Sequence, residues 1–226
     1  MLEDFADALR HMATHGGTVS AGAPMPRTPT APRAPRFILG LDLGQAQDFT
    51  AVAAAEVIPS EPPAYHLRHL ERLRLGTPYP VVVAHVKTLL TREPLRGCTD
   101  LVVDATGVGP PVVDLLRDAG LSPVAVTIHG GDTVSEEKGG DRWRVPKRDL
   151  VATLQVLLQT GRLKVAEALP DAATLVRELL AYQVKLSDRG HDSYNAREGA
   201  HDDLVLAVAL AVWWGERGEE KLNVFF

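Results

Sequence analysis

Three stretches of the chain put aspartate where packing alone gives no reason for it. Asp42 closes the run Phe37-Ile-Leu-Gly-Leu, Asp104 closes Leu101-Val-Val, and Asp202 and Asp203 follow His201 at the head of Leu204-Val-Leu-Ala. A carboxylate beside a buried apolar run is unfavourable unless a cation or hydrogen-bond donors compensate it. Two divalent cations held about 4 Å apart would compensate several such groups at once and grip a scissile phosphate between them, which is the chemistry of phosphodiester cleavage. Magnesium takes carboxylate oxygens and waters in octahedral geometry, and manganese tolerates the same ligands. The expected cofactor is therefore Mg²⁺ or Mn²⁺, as a pair of ions.

Each aspartate also has a plainer reading. Asp42 and Asp104 could accept hydrogen bonds from turn amides. Asp202 or Asp203 could cap a helix and favour its positive end. One aspartate satisfies a cap, so two in succession exceed that need. His201 reads either as an auxiliary ligand or as a residue of the capping turn. Strand alternation puts Ile38, Gly40, Asp42 and Gly44 on one face. The two glycines clear that face of bulk, where a large ligand is expected to approach. A phosphate cradle at Gly107-Val-Gly109 is disfavoured, because Pro110 and Pro111 remove amide donors from the following helix start.

The carboxylates can meet only through the fold. Residues 36–44, 49–58 and 64–75 read as three consecutive strands on short links, hence an antiparallel meander. A helical pattern starts at Pro80. Strands at 99–104 and 122–128 then flank a helix from Pro110 to Gly120. A polar loop, 129–141, leads to helices over 147–160 and 170–180. Residues 184–187 and 193–196 suggest a hairpin around Asp-Arg-Gly-His-Asp. The last helix, 202–214, is apolar nearly all round and should be buried. These elements predict an α/β domain: a mixed five-stranded sheet, three antiparallel strands and then parallel ones, flanked by helices with an added hairpin. The domain is expected over 37–217. Residues 1–36, with five prolines between Pro24 and Pro35, read as a tail or linker, and 218–226 as a C-terminal tail.

Arg142, Arg144, Lys147 and Arg148 cluster around Trp143. They read as a phosphate-contacting edge or as a solvated helix start. Loop 130–141 could guide a duplex, and Arg189 and His191 at the hairpin tip are further candidates. A formal net charge of −5 argues against broad coating of DNA. No basic helix, helix-turn-helix or zinc finger is visible, so backbone contacts with low sequence selectivity are expected. Cys98 is the only cysteine, which excludes an intrachain disulfide framework and a cysteine zinc site. No apolar run is long enough to span a bilayer, and the acidic N-terminus lacks a signal-peptide pattern, so no membrane partner is expected.

At 41–51, 102–116 and 201–211 the chain resembles the nuclease domain of the phage large terminase family, within the ribonuclease H-like superfamily. Val145-Pro-Lys147 and the hairpin bearing Tyr194 also look like that family, and the resemblance spans roughly residues 36–215. It implies a ribonuclease H-like sheet and metal-dependent cleavage of double-stranded DNA during genome packaging, in the cytoplasm of a bacterial host. By the same resemblance Asp42 and Asp104 are the first and second metal ligands, and Asp202 and Asp203 are the pair that supplies the third. A separate packaging ATPase, a small terminase and a portal are the implied partners, and residues 1–36 are a place where an ATPase could dock. The sequence contains no Gly-x4-Gly-Lys-Ser/Thr loop, so a nuclease module without the motor is expected. The rival readings are a junction-resolving nuclease of the same fold, an actin- or sugar-kinase-like ATPase, and a non-catalytic packaging module. Gln45 stands where the kinase-like pattern would more usually have Ser or Thr.

Overall fold

The computed structural model describes residues 36–44, 48–107, 110–137, 139–187 and 201–223. Its strands are β1 (Arg36–Asp42), β2 (Ala51–Ile58), β3 (Ala64–Arg72), β4 (Thr99–Asp104), β5 (Pro123–His129), β6 (Ser135–Glu136), β7 (Arg142–Pro146) and β8 (Leu163–Val165). Its helices are α1 (Tyr79–Leu90), α2 (Pro110–Asp118), α3 (Lys147–Gln159), α4 (Ala172–Ser187) and α5 (Asp203–Asn223). All eight strands form one sheet in the order β6-β7-β5-β4-β1-β2-β3-β8. The expected meander is there: β1 and β2, and β2 and β3, pair antiparallel. The chain then returns so that β4 lies parallel to β1, and β5 parallel to β4. Three short strands extend this five-stranded centre. β7 runs parallel to β5, β6 closes that edge, and β8 pairs with β3 at the other.

Strand alternation sorts the core into two layers. Phe37, Leu39, Leu41 and Val103 meet Val82, Val83 and Val86 of α1 and Val112 and Leu116 of α2. Ile38, Val102 and Val126 face the other way, onto Leu150 and Leu154 of α3, Leu175 of α4, and Leu204 and Val208 of α5. β1 is buried on both sides, as befits a central strand with apolar residues at nearly every position.

Several expectations need correction. Arg142–Pro146, expected as a phosphate-contacting edge or a solvated helix start, is a strand: Trp143 and Val145 are buried, and Arg144 is exposed. Residues 184–187 continue α4 and are not a hairpin arm. The other arm, 193–196, the tip candidates Arg189 and His191, and residues 1–35 lie outside the described residues. β1 begins at Arg36, where the strand 36–44 was expected, and α5 runs on to Asn223, past the expected helix end at residue 214. Gly40 does not clear space for a ligand. A Cβ there would lie 1.9 Å from the Ala207 carbonyl oxygen and 3.1 Å from the Ala211 amide nitrogen. The gap is filled by the backbone of α5. Gly44 is likewise closed over, by the Asp48 and Phe49 backbone.

Candidate functional site

The candidate side chains gather at the carboxyl ends of the parallel strands. Leu41 pairs with Val103 in the parallel register, and one residue further each strand ends in an aspartate. Asp42 and Asp104 are therefore neighbours. They lie on the face of Ile38 and Val102, which is the face covered by α5. Both are buried, at 8% exposure each. Asp104 Oδ1 accepts a hydrogen bond from the Thr106 amide at 2.7 Å, which fixes the turn after β4.

Asp202 and Asp203 arrive from the opposite layer. The close approach of Gly40 to Ala207 seats α5 across β1 and sets its first turn over the strand ends. The Asp202 carbonyl takes the first helical bond, from Leu206 at 2.9 Å, so Asp202 is the cap residue. Its side chain does not serve the cap. The Leu204 and Val205 amides, which a capping Asp202 would serve, donate instead to Glu178 Oε2 of α4 at 3.0 and 3.1 Å. With its cap supplied from α4, the pair is free for other partners. Asp202 Oδ2 lies 2.8 Å from Lys147 Nζ, and Asp203 Oδ2 lies 3.3 Å from the Arg72 guanidinium.

Both cations are aimed by local sequence. Lys147 is the first residue of α3, directly after β7 ends at Pro146 beside the site. Arg72 owes its direction to a bulge. Ala54 pairs with His69 and Ala55 with Leu67, so Arg68 is extra and the strand's parity changes there. Leu67 and Leu70 consequently share one core, and Arg72 falls on the face of Asp42. In the ladder Arg72 pairs with Ala51, and Ala51 with Asp42, giving one row across three strands. The Arg72 guanidinium lies 4.8 Å from the Phe49 ring, and that ring meets His201 edge-on at 5.1 Å.

Burial and crowding together raise the carboxyl pKa values. Burial drives the Asp42 carboxyl well above its ordinary value; Asp104, Asp203 and Asp202 push it further, and Lys147 opposes them. Burial lifts Asp104 to about 6 against the Thr106 hydrogen bonds and Lys147, with Asp202 adding to the rise. Asp203 also reaches about 6, through burial opposed by Arg72 and His201, with Asp202 and Asp48 pushing upward. The shared causes show that Asp42, Asp104 and Asp203 lie close to one another or to the Asp202 charge. Asp203 Oδ2 is buried and makes no hydrogen bond among the described residues. Asp48, which the sequence reading passed over, joins from the β1–β2 loop. One donor atom from each of Asp48, His201 and Asp203 lies within 4.8 Å of the other two. Oxygen donors in excess of the local cations, with one imidazole, suit a hard divalent ion.

The four expected cations separate. Lys147 is in the pocket. Arg148 pairs with Asp132 at 2.5 Å in the loop after β5. Arg142 and Arg144 alternate with buried Trp143 and Val145, so they project from the sheet face opposite Asp42 and Asp104. An exposed cation near Asp48, Arg74, was missed. It lines a cleft of about 250 Å³ with Gly44, Asp48, Thr50 and Tyr79.

No family model matches the chain. The large terminase subunits of Thermus phage G20c and Thermus virus P23-45 are each 23% identical to it over 175 residues. The match takes in 77% of this chain, yet the chain spans only 31% of the length of either relative. The magnesium-bound crystal structure of the large terminase nuclease from phage G20c superposes with a TM-score of 0.57 and 22% identity, over 79% of this chain and 81% of that one. The fold is that of a phage large-terminase nuclease domain. The nuclease domain of Thermus phage P74-26 agrees, with a TM-score of 0.54 and 21% identity over 78% of each chain. The expected mixed-sheet α/β architecture thus holds at the five-stranded centre.

Proposed function

We propose that the protein is a divalent-metal-dependent endonuclease that cuts double-stranded DNA with low sequence selectivity, as the nuclease part of a packaging terminase. The convergence of Asp42, Asp104, Asp202 and Asp203 from two strands and a helix carries the proposal. The terminase-nuclease fold and the magnesium bound to the G20c relative support it. Asp42, Asp104 and the 202–203 pair are the proposed ligands for two Mg²⁺ or Mn²⁺ ions, with His201 and Asp48 as auxiliary groups. Bound there, such ions supply an activated water and a counter-charge for the leaving oxygen.

The chain's own residues have definable tasks. The Thr106 amide holds the Asp104 carboxylate in one orientation. Lys147 Nζ lies against Asp202 and 5.7 Å from the Tyr182 ring, where its charge can meet a non-bridging phosphate oxygen. The apolar wall of α5 keeps water from the inner side of the carboxylates. The duplex-contacting edge is best supported at Lys147, Arg148 and Arg74. Arg142 and Arg144 would contribute only where the duplex reaches the far face. A packaging ATPase, a small terminase and a portal remain the proposed partners. No helix among the described residues is long and apolar enough to cross a membrane.

The test is incubation with supercoiled plasmid and Mn²⁺ or Mg²⁺, with EDTA controls and an Asp42→Asn/Asp104→Asn variant. Metal-dependent nicking or linearisation that the variant lacks is the expected result. Intact plasmid under all conditions would defeat the proposal. ATP hydrolysis would point to the kinase-like reading, preference for four-way junctions to a resolvase, and DNA binding without turnover to a packaging module.

A further inference from the structure

Glu178 is an acid buried beside the site that the mechanism above does not use. It sits in the middle of α4 at 6% exposure. One carboxylate oxygen takes both amides at the head of α5, and the other is paired with Arg72. Arg72 is thereby shared. The same terminal nitrogen that pairs with Glu178 lies 3.3 Å from Asp203 Oδ2, an approach too poorly aligned to be a hydrogen bond. The Arg72 Nε is buried without a hydrogen-bond partner among the described residues, so the guanidinium has donors to spare. Its backbone is pinned by Asp171, which accepts from the Arg72 amide at 2.9 Å, and Phe49 lies against its planar head.

We infer that Glu178 is a positioning residue that keeps Asp203 available to a divalent cation, by capping α5 in place of the aspartate pair and by drawing the Arg72 charge away from Asp203. Without the Glu178 charge, a guanidinium with free donors would close on the nearest carboxylate, which is Asp203. Bidentate pairing of arginine with a carboxylate is strong and would compete directly with a metal ion for those oxygens. The inference rests on the metal site proposed above and concerns how that site is kept open.

Mn²⁺ titration followed by electron paramagnetic resonance at pH 8 tests it, alongside thermal melts. Four proteins are compared: wild type, Glu178→Gln, Arg72→Gln/Glu178→Gln, and Asp42→Asn. Glu178→Gln retains an oxygen for the Leu204 and Val205 amides but releases Arg72. Its Mn²⁺ Kd should rise at least about tenfold, within the range seen when groups that support metal ligands are lost. Removing the Arg72 charge as well should bring the Kd back to within about threefold of wild type, a reversal that loss of a structural cap would not produce. Unchanged affinity in Glu178→Gln overturns the inference, and so does a double variant as weak as the single one or weaker. If Glu178→Gln melts too low to titrate, the double variant decides alone, with near-wild-type affinity supporting the inference and weak binding overturning it. Mn²⁺ binding that depends on Asp42 and Glu178, with plasmid left intact, would sink the nuclease reading and leave the positioning role standing. Absence of Mn²⁺ binding in wild type would remove both.

Discussion

Gly40 and Ala207 meet backbone to backbone, with no room between them for a side chain. A Cβ on Gly40 would fall 1.9 Å from the Ala207 carbonyl oxygen, and a neighbouring backbone cannot yield as a flexible side-chain tip can. This contact sets the height of α5 above β1, and so the distance from the Asp202–Asp203 pair to Asp42. Gly40→Val is expected to destabilise the fold by roughly 1–3 kcal/mol or more, as overpacking generally does. It should also weaken Mn²⁺ binding at temperatures where the protein remains folded. Thermal melts with and without Mn²⁺ check both points. A variant that melts like wild type would mean the helix does not rest on this contact.

Asp42→Asn and Asp104→Asn should change activity and stability in opposite senses. Each removes a buried like charge, so the metal-free protein at pH 8 should melt at a higher temperature than wild type. Each also removes a proposed metal ligand. Plasmid cleavage should fall by at least about a hundredfold, beyond the usual effect of residues that merely support ligands. Lost cleavage together with lost stability would indicate that the aspartates hold the turns and do not gather for a ligand.

The raised pKa values give a definite sign to the pH dependence. Asp104 and Asp203 sit at about 6, above the ordinary aspartate value of 3.8, so the fold favours their protonated forms. That contribution is complete below the ordinary value and is lost as pH rises through about 6. Their ionisation above that pH therefore costs folding stability. The metal-free protein should therefore melt higher at pH 5 than at pH 8. Mn²⁺, which needs the ionised forms, should raise the melting temperature more at pH 8 than at pH 5. A metal-free melting temperature that climbs between pH 5 and pH 8 would contradict this.

Much of the architecture could be read from local pattern, because its signals are local. Apolar runs ended by Asp42 and Asp104, proline at helix starts and an all-round apolar last helix mark their own boundaries. β7 was missed although Arg142-Trp-Arg-Val alternates at period 2, because its cations and the preceding glycines resemble a solvated loop. β8 has only three residues, too few to show a period. The helical residues 184–187 were mistaken for a strand because Val184-Lys-Leu also alternates. The supporting groups of the site were not legible at all. Glu178, between Arg177 and Leu179, looks like an ordinary surface glutamate until α5 is laid over it. Arg72 needs the Arg68 bulge to turn inward, and a bulge is a property of pairing, not of one strand's sequence. The role of Gly40 was misjudged for the same reason: a gap on a strand face does not say what fills it.

The separation of the cations by sheet face yields a last expectation, on DNA contacts. Arg74 is exposed in the cleft it shares with Asp48, one of the candidate auxiliary ligands. Arg144 is also exposed but projects from the other face of β7. If the duplex lies across the carboxyl ends of the strands, Arg74 neutralises a phosphate near the scissile one and Arg144 does not. Arg74→Ala should then weaken binding to linear duplex, raise KM more than it lowers kcat, and reduce the salt dependence of binding by about one phosphate contact. Arg144→Ala should leave all three within experimental error. Fluorescence anisotropy across a salt series, in Ca²⁺ so that binding is measured without turnover, distinguishes the two. The reverse pattern would place the duplex along the β6–β7 edge, where Arg142, Arg144 and the loop after β5 would form its track.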